Sequence, residues 1–151
     1  MTLRQQVTDF HIALNVPVRA VPTVPADEEV RQRLRLMAEE FFEVLAASLA
    51  DGEGQNSAIN HVAYAVRTMV DEMPIRVDMP EFADGLADLD YVVEGTRLVF
   101  GIHGAPIGYA VHDANMRKVG GPVDAWGKIR KPAGWTPPDI AACLRAQGWE
   151  P

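Results

Sequence analysis

The sequence predicts an all-α fold, a helical bundle forming one domain across its 151 residues. Three observations point there. Apolar residues recur at intervals of three and four over long stretches, clusters of proline and glycine interrupt those stretches, and the period-two alternation of a half-buried strand is not sustained. A chain that is 48% hydrophobic and 23% charged has the balance of an ordinary globular domain. At this length roughly two-thirds of the unfolded surface can be buried, so a core needs neither disulfides nor a structural metal.

The first helix is expected over residues 3–14, where Leu3, Val7, Phe10 and Leu14 share a face. Pro17, Pro22 and Pro25 forbid its continuation. A second helix begins at PADEEV, with Asp27 as cap and Glu28 and Glu29 suited to the positive N-terminal end, and runs to about residue 50 before Gly52 and Gly54. A third spans 58–70 and carries Ile59, Val62, Ala63, Val66 and Met69 on one side. Pro80 is placed to open a fourth helix, 80–100, which Gly101 stops. Its YVV tripeptide favours a strand locally, but the period near 3.6 prevails over the segment. Short helices are expected at 107–116 and 138–146, separated by a loop rich in Gly, Pro, Trp and Lys. Residues 117–137 form a candidate flexible lid, because long loops in compact domains are often functional.

Composition narrows the function classes. A formal charge of −7 opposes general attraction to nucleic acid. The N-terminus lacks a basic head followed by an apolar run, and no stretch near 18 apolar residues occurs, so secretion and membrane spanning are disfavoured. Cys143 stands alone, which excludes an intramolecular disulfide or a Cys-based zinc cluster and fits a reducing cytoplasm. His103 and His112 have neither a Cys partner nor HExxH spacing to make zinc ligands, and GGPVDAWGKIRKP lacks the GxxxxGK[ST] of a phosphate loop.

The informative feature is a pair of acidic stripes on apolar helices. Glu39, Glu40 and Glu43 lie on roughly a 100° arc of the second helix, amid Leu34, Met37, Phe41, Phe42, Val44, Leu45 and Leu49. The fourth helix repeats the pattern with Glu81, Asp84 and Asp88 within roughly 60°, among Phe82, Leu86, Leu89, Val92 and Val93. Helices apolar nearly all round should be buried in the domain or at a subunit interface. Carboxylates crowded there repel one another, and burying an unpaired one costs several kcal/mol. Neither stripe contains Lys or Arg. Oxygen-only ligand sets suit hard cations, above all Mg²⁺ with Mn²⁺ as substitute, and Mg²⁺ leaves positions for water and substrate phosphate. Such a site suits a nucleotide polyphosphate. The plainer reading is a hydrated acidic face on helices that pack by their other sides.

EExxE on one helix followed by ExxD on a later one resembles the all-α nucleoside triphosphate pyrophosphohydrolases: MazG, the dimeric dUTPases and phosphoribosyl-ATP pyrophosphohydrolase. FHIALNVPV, DGLADLDYVVEGT, VHDANMRKVGG, GKIRKP and WTPPDI extend the similarity toward the phosphoribosyl-ATP pyrophosphohydrolase-like branch. Residues 51–78 fall outside it, so the third helix is read as a local elaboration. The resemblance implies a helical bundle of the MazG and dimeric dUTPase type completed by oligomerisation, as a homodimer or dimer of dimers with sites between subunits. It implies Glu39, Glu40, Glu43, Glu81 and Asp84 as metal carboxylates, with Asp88 in support and Glu40 favoured as the base. Asn115 and Lys118 match sugar and phosphate contacts, and Lys128, Arg130 and Lys131 could close over the polyphosphate. His11 and Asn15 could equally supply base contacts or serve a structural role, Phe10 could stack or pack on the apolar face of the first helix, and Trp126 and Trp135 could either cover a base or anchor the tail.

The implied chemistry is Mg²⁺-assisted hydrolysis of a nucleoside triphosphate to the monophosphate and pyrophosphate, a house-cleaning activity with dUTP the first candidate substrate. Phosphoribosyl-ATP hydrolysis is an alternative within the same class. Outside it stand a non-catalytic module that binds Mg-nucleotide for regulation, and a helical interaction protein whose acidic stripes face a basic partner.

Overall fold

The computed structural model describes residues 1–49, 55–124 and 128–150, and for 55–57 the backbone alone. Among the described residues the regular elements are six helices: α1 Leu3–Ala13, α2 Asp27–Ser48, α3 Gln55–Glu72, α4 Met79–Phe100, α5 Gly104–Met116 and α6 Ile140–Arg145. The described residues contain no strand beyond an isolated antiparallel bridge between Val123 and Ile129. The all-α expectation holds, including at YVV, where interior helix geometry overrides the β preference of three residues. Among the described residues no helix is long and apolar enough to cross a membrane.

Several boundaries move for local reasons. Asp27 is not the cap of α2. Ala26 occupies that position without a side-chain hydrogen bond, and Asp27, Glu28 and Glu29 fill the first turn, where their charges meet the helix dipole. Helix α4 starts one residue before Pro80, and α5 begins three residues before Ile107, at Gly104, directly after His103 as N-cap. Helix α6 starts at Ile140 because the side chain of Asp139 caps the amide of Ala142 at 2.8 Å. Gly52 and Gly54, expected to end α2, lie outside the described residues; the helix stops earlier, at Ser48.

The chain divides into two compact units, 23–78 and 1–22 together with 79–151. In the first, α2 packs along α3. On α2, Val30 is buried, and Leu34, Met37, Phe42 and Leu45 are half-buried. On α3, Ile59, Ala63, Val66 and Val70 are half-buried, whereas Val62 and Met69 of the expected apolar face are exposed. Arg31 donates to the carbonyl of Val70 and, at 2.9 Å, to that of Met73, satisfying carbonyls that α3 cannot bond within itself.

In the second unit, α1 packs on α5 and α5 on α6. Ala114 and Gln6 are buried there. Thr2 and Gln5 form a reciprocal capping box that opens α1. Helix α4 makes no comparable pairing with another helix among the described residues. None of its residues is buried, and Tyr91, Leu98, Val99 and Phe100 are 71–85% exposed. An apolar helix that the expectation placed in a core or at an interface is thus bare in the single chain.

Candidate functional site

Helix α2 carries Glu39, Glu40 and Glu43, and all three carboxylate side chains are exposed. The spacing i, i+1, i+4 sets them on neighbouring turns of one face. Glu81, Asp84 and Asp88 are likewise exposed and follow one another along the first turns of α4. The two sets stand on different compact units. Among the described residues no group of three or more His, Cys, Asp or Glu side chains forms a metal site within the chain. The donor chemistry nevertheless fits a hard divalent cation: each set offers carboxylate oxygens without sulfur or imidazole.

A second group of expected residues is assembled around the end of α5. Lys118 Nζ donates to Asn115 Oδ1 at 2.8 Å, so the two residues expected to contact sugar and phosphate form one polar pair. The indole Nε1 of Trp135 donates to the carbonyl of Ala114 at 2.8 Å. Trp135 therefore anchors the following segment to α5, in line with the anchoring alternative. Its ring also faces two ammonium groups, with Lys118 Nζ 5.3 Å and Lys131 Nζ 4.7 Å from the centroid. Arg117 pairs with Asp113 and donates to the carbonyl of Thr136 at 3.2 Å, a further tie between the helix end and this segment.

Lys128 and Arg130 lie on a segment that pairs antiparallel with residues 122–124, and Asp124 ties the two together. The amide of Asp124 donates to the carbonyl of Lys128 at 3.0 Å, the amide of Lys128 donates back to the Asp124 carboxylate at 2.9 Å, and Arg130 pairs with that carboxylate at 3.0 Å. The Arg130 amide adds a 2.7 Å bond to the carbonyl of Pro122. Gly121 permits this approach, since a Cβ there would stand 2.5 Å from the Arg130 carbonyl oxygen. The sequence reading missed Asp124, whose acidic position five before Ile129 in a Gly and Pro-rich stretch was the available signal. Trp126 lies outside the described residues.

Asn15 turns out to have a backbone duty. It holds φ +56° just past α1. Its amide bonds the carbonyl of Ile12 at 3.1 Å, and the amide of Val16 bonds that of His11 at 2.8 Å. This is a Schellman closure, in which asparagine takes the left-handed position that usually belongs to glycine. His11 and Phe10, on the preceding turn, are half-buried. His103 is tied to the C-terminal segment through its backbone: its amide donates to Gln147 Oε1 at 2.8 Å, and Gln147 Nε2 donates to its carbonyl at 3.2 Å.

Residues 7–115 match the phosphoribosyl-ATP pyrophosphohydrolase family, a span that contains both carboxylate sets. No curated protein matches the chain. Among solved structures, a crystal structure of a candidate NTP pyrophosphohydrolase from Exiguobacterium sp. 255-15 superposes with a TM-score of 0.70 at 26% identity, covering 98% of this chain and 96% of that one. Enzymes of this type generally use a divalent metal. With a family match over most of its length and a whole-chain structural counterpart, the protein belongs to the phosphoribosyl-ATP pyrophosphohydrolase family of MazG-like nucleotide pyrophosphohydrolases.

Proposed function

We propose that the chain is a Mg²⁺-dependent nucleoside triphosphate pyrophosphohydrolase that removes unwanted nucleotides from the pool, with dUTP the first substrate to test. The observation carrying this reading is that the family match runs across both EExxE and ExxD with every acidic position intact. In this reading Glu39, Glu40, Glu43, Glu81 and Asp84 hold the metal. When bound, Mg²⁺ neutralises phosphate oxygens and lowers the pKa of a coordinated water. Glu40 accepts the proton of the attacking water, and the anhydride between the α- and β-phosphates breaks, leaving monophosphate and pyrophosphate. Asn115 and Lys118 hold sugar and phosphate, Lys128, Arg130 and Lys131 meet the polyphosphate charge, and His11 and Asn15 meet the base.

The active form is a homodimer or a dimer of dimers. The exposed apolar length of α4, from Tyr91 to Phe100, supports this, because a second copy of the same helix would remove it from water. The setting is a reducing cytoplasm, where Cys143 stays a free thiol.

The test is a panel of canonical and modified nucleoside triphosphates with Mg²⁺ or Mn²⁺, both products being identified. Monophosphate plus pyrophosphate is expected, with dUTP among the best substrates. Orthophosphate as the sole released anion would refute the proposed cleavage position. Phosphoribosyl-ATP belongs in the same panel, since the matching family favours it as the second reading. Metal-dependent nucleotide binding without pyrophosphate release would identify the regulatory module instead.

A further inference from the structure

We propose that Gln6 is a specificity-determining residue that reads the Watson–Crick edge of the nucleobase. The inference rests on the pyrophosphohydrolase reading for its ligand, and its starting point is a polar side chain in a covered place. Gln6 of α1 is 4% exposed, with its Oε1 beside Gly108 of α5. Its backbone amide continues the helix by donating to the carbonyl of Thr2 at 3.1 Å. The side-chain amide, by contrast, has no hydrogen-bond partner among the described residues. Folding alone gives no reason for such a group, since a buried amide without a partner is destabilising and methionine fills the same volume without that cost. Every side-chain nitrogen or oxygen sealed from water among the described residues is bonded. Water therefore reaches the Gln6 amide, although the residue as a whole is nearly covered.

Gly108 keeps that opening free. A Cβ there would come within 4 Å of a single atom outside its chain neighbours and its own helix backbone, Gln6 Oε1 at 3.7 Å. Alanine is the better helix former, so glycine inside α5 gives up stability and leaves a methyl-sized space beside the amide. Positions 108 and 115 share a face of α5 and lie roughly 10 Å apart along its axis. With the sugar on Asn115 and phosphate on Lys118, as the proposed function has it, the base extends along that face toward Gly108, and the edge far from its sugar meets Gln6. That edge presents a donor and an acceptor side by side, which the Nε2 and Oε1 of one amide complement. Around α1, Phe10 stands about 40° and His11 about 140° from Gln6. One base laid against this side of α1 has Gln6 on its α5 edge, the half-buried Phe10 ring against its face and His11 at the opposite margin.

The experiment uses the full chain and separates base from phosphate. Calorimetry with Mg²⁺ measures binding of non-hydrolysable α,β-imido deoxynucleoside triphosphates of uracil, thymine, cytosine, adenine and guanine, with inorganic tripolyphosphate as the ligand that lacks a base. KM is measured on the best nucleotide of the panel. Gln6→Met keeps the volume and removes the amide, so it should melt no lower than wild type. It is expected to weaken binding of the preferred analogue and raise KM about tenfold, to narrow the preference among bases, and to leave tripolyphosphate binding within about twofold of wild type. A methyl on the Watson–Crick ring nitrogen of the preferred base, N3 of a pyrimidine or N1 of a purine, should cost the wild type about tenfold as well. It should cost Gln6→Met less, because the contact it blocks is already gone.

A folded Gln6→Met protein with wild-type affinities and base preference overturns the inference and leaves the amide to water. An equal loss on tripolyphosphate overturns it too, because the residue then acts on packing rather than on the base. If Gln6→Met does not fold, Gly108→Ala decides, its new Cβ making only an ordinary contact. Weakened nucleotide binding with tripolyphosphate binding unchanged then supports the inference, and unchanged binding of both overturns it. The two readings fail separately. A chain whose base preference depends on Gln6 yet releases no pyrophosphate from any nucleotide refutes the enzyme and leaves the base contact, whereas pyrophosphate release with base preference unaltered in Gln6→Met keeps the enzyme and discards the contact.

Discussion

Arg35 on α2 donates from Nε to the carboxylate of Asp71 on α3 at 2.7 Å, while its Nη1 reaches Glu28 two turns back along α2 at 2.7 Å. The bond to Glu28 contributes most to raising the guanidinium's already high pKa, against the opposing effect of burial, and Asp71 adds to the rise. A raised folded-state pKa adds stability that is fully present below the unfolded value and disappears only as pH climbs through the folded one. Arg35→Met should therefore lower unfolding free energy by about 1 kcal/mol, and the difference should stay level across the neutral range. Denaturant titrations at several neutral pH values check this, and a deficit that varies steeply between them would count against the assignment.

Leu98 and Val99 are 74% and 85% exposed, so a charge at either position disturbs little within the chain. Val99→Asp should keep the helical circular-dichroism signal while halving the mass seen by light scattering. Pyrophosphate release should fall with it, because the family resemblance places the sites between subunits. An unaltered mass would remove this face of α4 from the proposed assembly.

Asn15 separates backbone duty from ligand duty. Its φ of +56° favours glycine over alanine. Asn15→Ala should cost about 1 kcal/mol of stability, whereas Asn15→Gly should melt within a degree or two of wild type. If Asn15 also touches the base, the glycine variant raises KM while remaining stable. Equal KM values in the glycine variant and the wild type would leave only the helix closure.

Glu40→Gln preserves volume and removes the proton acceptor. With Mg²⁺ present it should reduce kcat at least about a hundredfold, without moving the melting temperature, since the side chain is exposed in the single chain. Chelation of the wild type by EDTA should abolish turnover and added Mg²⁺ or Mn²⁺ should restore it. Turnover that survives exhaustive chelation would remove the metal from the mechanism.

Gly101 closes α4 with φ +67°, its amide bonding the carbonyl of Leu98 at 3.1 Å and the amide of Ile102 that of Arg97 at 2.8 Å. Gly101→Ala places a Cβ in the left-handed region and should cost about 1–2 kcal/mol. Thermal melts compare it with Gly95→Ala, which lies in the helix interior with no atom beyond its chain neighbours and own helix backbone within 4 Å of the new Cβ and should stabilise.

Local chemistry explains what was legible in advance. Helix period, the glycine after Phe100 and the acidic spacing at 39–43 and 81–84 are properties of neighbouring residues, and a chain written in one dimension displays them directly. The same reasoning erred at Asp27, because a good capping residue one position from the boundary serves equally well in the first turn. It left Asn15 between a base contact and a structural role, because backbone handedness leaves no mark on residue identity beyond a preference.

By itself the sequence determined an all-helical chain with two acidic stripes and a set of cations after α5. Tertiary structure decided that Trp135 draws Lys118 and Lys131 to one ring, that Asp124 binds the segment bearing Lys128 and Arg130, and that α4 leaves its apolar side exposed in the single chain. The division follows from range: helix formation needs information from residues three and four apart, whereas a clasp between positions 114 and 135 or an uncovered helix depends on how distant segments fill space.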